Sequence, residues 1–189
     1  MDIFKNKHTW YCTITYLMTF GTFAGLSAAF PLMIKFLYGD FPNAPDPLVY
    51  AFYGPLIGSA LRVAGGPLTD QFGGAIFTQI CGLGLIAGCA ALVFGGLLNP
   101  TSLDQFPWFV GIMLAMFLFT GIGNAATFRQ YPIIFSHSAR QAAGVIGFTA
   151  AIAAYGPFLF AILLASSKKV ADSFEPFFLG LLGYCVLAT

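Results

Sequence analysis

Six apolar runs, each near the length that crosses a bilayer, set the first limit on how this chain can fold. A hydrocarbon core about 30 Å thick needs about 20 apolar residues of helix. Such runs lie at about 10–37, 48–69, 75–98, 107–128, 141–165 and 174–188. Between them fall the stretches YGDFPNAPDP, TDQFGG, NPTSLDQFP, FSHSARQ and SSKKVADSFEP, rich in the residues that punctuate regular structure. Membrane-crossing strands alternate apolar and polar residues over about 10 positions, and these runs carry no such alternation. The expected fold is an all-α membrane protein with six transmembrane helices.

Composition excludes the other broad classes. Of 189 residues, 58% are hydrophobic and only 8% charged, against about 25% charged in a typical globular domain, and mean hydropathy is +0.83. The natural solvent partner is a lipid bilayer, in a multi-pass arrangement. The net charge is +1 with no basic run, so no nucleic-acid partner is expected. Cys12, Cys81, Cys89 and Cys185 lie in apolar runs without a CxxC or Cys/His grouping, which reads as small buried hydrophobes rather than metal ligands. No cofactor, metal or enzymatic activity is expected. The first run is too long for a signal-peptide core and no small-residue cleavage site follows it. The last run is short, which reads as a truncated chain or one half of a larger protein.

Placing the N-terminus in the cytoplasm puts Lys5, Lys7, Arg129 and Arg140 inside and Lys35, Lys168 and Lys169 outside, a small majority in the sense of the positive-inside rule. Asp40, Asp46, Asp104, Asp172 and Glu175 would then be external.

Against this background Arg62 is the misfit. It sits about 21 Å into the second run at ~1.5 Å per residue, within hydrocarbon depth. An arginine at a helix centre costs about 2.5–3.5 kcal/mol on insertion scales, so it usually faces a cavity or a partner. The chain's seven acidic residues all lie near its ends or between the runs, and none is a sequence neighbour of Arg62. A guanidinium without a carboxylate is left for a small anion, and its forked N–H groups suit a planar oxyanion. On the first run Tyr16 and Phe20 are four residues apart and share a helix face; one offers a hydroxyl, the other a flat ring. Gly121, Gly123 and Asn124 on the fourth run could line the same path, with Asn124 as a donor to the anion. Arg129, at the cytoplasmic end of that run, reads as a snorkelling side chain, and His137 as a loop residue.

After Arg62 comes GGPLTDQFGG, residues 65–74, which fits the pattern GG-x-L-[ST]-D-x-x-GG. It resembles the loop motif of the major facilitator superfamily, found between the second and third helices of each six-helix half. The resemblance assigns Gly65, Gly66, Asp70, Gly73 and Gly74 to a conformational turn on the cytoplasmic side. Gln71 stands where that superfamily usually has a basic residue.

Three longer stretches narrow the likeness: HTWYCTITYLMTFGTFAGLSAAFPLMI (8–34), AFYGPLIGSALRVAGGPLTDQFGG (51–74) and GIGNAATFRQYPIIF (121–135). Together they resemble the NarK-type nitrate/nitrite porters of the same superfamily, in their C-terminal six helices. The resemblance implies one half of a major facilitator fold, partnered by an N-terminal six-helix half, in the plasma (inner) membrane. It implies a nitrate or nitrite site between the halves, to which each half gives an arginine from its second helix; Arg62 occupies that position, and Tyr16 and Phe20 fit the family's tyrosine and phenylalanine. The family's nitrate signature falls on GVIGFTAAIAAYGPF (144–158), where Gly144, Gly147 and Gly156 remain and Ala150, Ala153 and Ala154 stand in place of glycines. The small stripe Ala143, Gly147, Ala151 would admit a close neighbouring helix, and Gly156-Pro157 would kink the run. The implied function is transport by alternating access, as anion exchange or proton-coupled uptake. A non-transporting membrane fragment and a carrier for another small anion are the two other readings the residues allow.

Overall fold

The computed structural model describes residues 2–189 and is helical almost throughout. The first run folds as α1 (Lys7–Tyr16), a π-helical turn (Leu17–Gly21) and α2 (Thr22–Tyr38). A short α3 (Pro47–Tyr50) leads into α4 (Tyr53–Phe72), followed by α5 (Gly74–Phe94) and α6 (Phe106–Ile134). The chain ends with α7 (Ala139–Ala153), α8 (Gly156–Ala171) and α9 (Glu175–Ala188). Five helical stretches are long and apolar enough to cross a membrane: Lys7–Tyr38, Pro47–Phe72, Gly74–Phe94, Leu103–Ile134 and Ala139–Ala171. The sixth apolar helix, Glu175–Ala188, has 14 residues, short of the roughly 20 that a perpendicular crossing needs.

Helix starts follow from capping side chains. The Asn6 side chain accepts from the His8 amide at 3.0 Å, and Asp46 accepts from the Leu48 amide at 2.9 Å with Pro47 in the first turn. Ser138 accepts from the Gln141 amide at 3.3 Å. Each satisfies a backbone donor that the first turn leaves free. At the C-terminal end of α8, Lys168 bonds both the carbonyl and the carboxylate of Asp172, at 2.9 and 2.8 Å; this cation holds the Asp172 carboxyl below its usual range.

Three local expectations change. GGPLTDQFGG is not a loop: Gly65, Gly66 and Asp70 lie inside α4, which runs to Phe72. Pro67 costs the helix one backbone donor, yet the turn holds, with the Thr69 hydroxyl donating to the Gly66 carbonyl at 2.8 Å. Only Gly73, at φ 91°, breaks the path, a conformation costly for any residue with a Cβ. The run 141–165 is interrupted at Ala154–Tyr155, so α7 and α8 are separate helices, with Pro157 in the first turn of α8. The first run carries a π turn with no sequence signature of its own.

α6 is the central helix, packed on both α4 and α5, while α9 lies on α5, α8 on α2 and α7 on α1. The apolar interior divides in two. The larger cluster joins α2, α5, α9, most of α8 and the first part of α6, around Phe30, Leu85, Phe109 and Phe178. The smaller joins α1, α7 and the end of α6, around Tyr16, Tyr131, Phe135 and Val145. The π turn and the α7–α8 break meet between them, where a Cβ on Gly156 would overlap the Gly21 carbonyl. The four cysteines are free and buried.

Candidate anion site

Arg62 projects from the middle of α4 on its exposed face. Its guanidinium carbon lies 5.9 Å from the centroid of the Phe128 ring, on α6. That ring meets Tyr16 edge to face at 4.6 Å, and Tyr16 stacks on Phe20 with centroids 5.3 Å apart and planes 4° from parallel. Three helices thus bring an arginine and a ladder of three rings together. Tyr16 is buried at 2% exposure, while Phe20 and Phe128 are half-buried. A cation over a ring face gains about 0.5–2 kcal/mol from the ring quadrupole, too little to replace the hydration an arginine gives up in a membrane. Among the described residues no carboxylate pairs with Arg62. The cluster therefore presents an uncompensated planar cation beside flat apolar rings, a setting for a small planar oxyanion.

Phe128 is the member that sequence reasoning missed. Its stretch, GIGNAATFRQ, stands out in the sequence for its small residues and for Asn124, one turn earlier, but nothing in a linear sequence shows which residue of α6 faces Arg62. Asn124 lies one turn before Phe128 on α6. It is 1% exposed, and its Oδ1 has no hydrogen-bond partner among the described residues. Small residues at Gly121 and Gly123 let α4 and α5 press so close to α6 that the amide is enclosed instead of presented. Nearby, the Thr19 and Thr127 hydroxyls meet at 3.3 Å across the π turn.

Gly144 and Gly147 are exposed on α7, as are Ala143 and Ala151, and a Cβ at Gly147 would meet open space. Among the described residues, Ile3 of the N-terminal turn reaches Gly144 and none covers Gly147. Two apolar grooves of about 530 and 500 Å³ flank α8, and a smaller cavity of about 90 Å³ sits between His8, Thr15 and Gln130.

At the C-terminal end of α4, Asp70 forms an ion pair with Arg129 of α6, whose guanidinium lies over Gly66. Arg129 is therefore a tie between helices, not a snorkelling side chain, and Asp70 can reach it because Gly66, one turn earlier, has no side chain. Both partners are well exposed, at 39% and 58%, which limits the pair to about 0–1 kcal/mol. Asp70→Asn and Arg129→Gln should each lower the melting temperature in detergent by no more than about 2–4 °C. The double variant should be no worse than the more harmful single one; additive losses would show that the two side chains act separately.

No family model matches the sequence. Over 181 residues the chain is 55% identical to the probable nitrate/nitrite antiporter NarK2 of Thermus thermophilus, covering 96% of this chain and 40% of that protein. It is 33% identical to the nitrate/nitrite transporter NarU of Salmonella typhimurium, over all of this chain and 44% of the relative. Against NarU of Escherichia coli the figures are 30%, 92% and 40%. The chain thus spans about two fifths of the length of these curated relatives.

Proposed function

We propose a function from one premise: the chain belongs to the NarK-type nitrate/nitrite porter family and is a multi-pass membrane protein, consistent with the plasma membrane. On that premise it is the C-terminal half of a major facilitator carrier that moves nitrate and nitrite across the membrane. The observation that carries the reading is Arg62, held at mid-helix against the Phe128–Tyr16–Phe20 ladder with no carboxylate partner among the described residues. Arg62 binds the anion; Tyr16 and Phe20 shape the pocket, and Phe128 forms the wall behind the guanidinium. The exposed faces of α4 and α7, with Arg62, Gly144 and Gly147, turn toward an N-terminal six-helix half that brings a second arginine. Glu175–Ala188 serves as the sixth span.

Transport follows from charge. Two arginines facing across a closing cleft repel, and desolvation adds to the cost. A bound anion offsets both, so the closed form is reached only when the site is loaded, and the halves rock about it by alternating access. This linkage favours exchange of nitrate for nitrite over uniport. Proteoliposomes holding the full-length gene product and loaded with nitrite should take up external nitrate at a saturable rate. Uptake that is equal without internal anion would replace exchange by uniport or symport, and no uptake at all would defeat the transport reading.

A further inference from the structure

We propose that the turn at Asp2–Lys5 is a clasp that fixes the inner half of the α7 span against α1, and that Trp10 and Phe148 are its positioning residues. The segment is a single 3-10 turn, and side chains of α1 take up two of its carbonyls. The Thr9 hydroxyl donates to the Ile3 carbonyl at 2.7 Å, and Trp10 Nε1 donates to the Phe4 carbonyl at 3.1 Å. On the other side, Phe148 of α7 receives two rings edge-on: Phe4 at 5.0 Å and 83°, and Trp10 at 5.8 Å and 87°. Ile3 completes the contact. Its methyl carbons would stand 3.6 and 3.8 Å from a Cβ at Gly144, so the turn lies over the first glycine of the exposed stripe and leaves Gly147 open.

The need for such a clasp follows from how α7 is held. Its buried residues, Ala142, Val145, Thr149 and Ala153, are small or medium-sized, and its other face is bare in this chain. α7 is also interrupted before α8 by the two-residue turn at Ala154–Tyr155. The three rings of Phe4, Trp10 and Phe148 give it a second hold. The clasp thereby sets where the small-residue face stands relative to Tyr16, which α1 carries. Its consequence for exchange rests on the transport reading above; the clasp itself does not.

Thiol labelling separates the two. Gly144→Cys and Gly147→Cys are made singly in the full-length protein, with any cysteines outside this chain replaced by serine, and reacted in detergent with N-ethylmaleimide, the four thiols of this chain being buried. The thiol at 144 should react more slowly than that at 147. Trp10→Phe, which removes the N–H donor, and Phe148→Leu, which removes the ring, should each speed reaction at 144 about two- to ten-fold and leave 147 unchanged. Phe148→Tyr, which keeps the ring, should restore the slow rate. Equal rates at 144 and 147 in the parent, or no response at 144 to either loosening change, overturns the clasp. In nitrate counterflow Phe148→Leu should lower the maximal rate at unchanged half-saturation, again rescued by Phe148→Tyr. Shifted labelling with unchanged exchange overturns the positioning role.

Discussion

Replacing Arg62 by lysine should raise the half-saturation concentration for nitrate by about 10- to 100-fold, because a hydrogen bond to a charged group is worth about 1.5–3 kcal/mol and lysine loses the planar fork while keeping the charge. The protein should fold as before. Arg62 is exposed, and among the described residues it makes no salt bridge; its guanidinium lies 5.9 Å from the Phe128 ring. Arg62→Leu makes the dissociation sharper. It removes a cation that costs about 2.5–3.5 kcal/mol at a helix centre, so this variant should melt no lower than the parent while exchanging no nitrate. Counterflow and a melting curve on the same three preparations decide the matter. Nitrate uptake at parental half-saturation by Arg62→Lys would remove the guanidinium from the site. A large loss of stability in Arg62→Leu would instead make Arg62 a structural side chain.

Arg62 could be found in the sequence because its signal is local: one cation in a run that admits none. The same holds for Tyr16 and Phe20, whose spacing of four settles their common face, and for the turn residues that separate the runs. What the sequence withheld depends on contacts between distant segments. Phe128 faces Arg62 only because α4 and α6 lie in one particular register, and Asp70 finds Arg129 for the same reason. The motif GGPLTDQFGG looks like a loop because glycine and proline are poor helix formers, yet packing against α6 carries α4 through it to Phe72. The π turn at Leu17–Gly21 has no composition to announce it. It occurs where α1 and α2 must each keep a partner, α7 and α8, whose own axis is broken at the same level. The chemistry of Asn124 is legible in the sequence; its burial follows from the closeness of neighbouring helices, which only the fold reveals.

That closeness gives the second large effect. Gly121 of α6 faces Gly58 of α4 so tightly that a Cβ on Gly121 would overlap the Gly58 carbonyl oxygen and stand 2.8 Å from its Cα. Both obstacles are backbone atoms, so no rotamer change relieves them and the helices must part. Gly121→Ala should therefore destabilise the protein by about 1–3 kcal/mol, the usual cost of overpacking. This reverses the sign expected from helix propensity alone, where alanine is better than glycine by up to about 1 kcal/mol. Gly111 of the same helix is the control: a Cβ there meets nothing within 4 Å, so Gly111→Ala should be neutral or stabilising. The effect reaches the anion site directly. Gly58 lies one turn before Arg62 on α4, so parting the two helices carries the guanidinium away from Phe128. Gly121→Ala should then lose nitrate affinity as well as stability, whereas Arg62→Leu loses only exchange. If Gly121→Ala melts with the parent, the Gly58–Gly121 contact does not fix the spacing of α4 and α6, and the Arg62–Phe128 distance must be set from elsewhere.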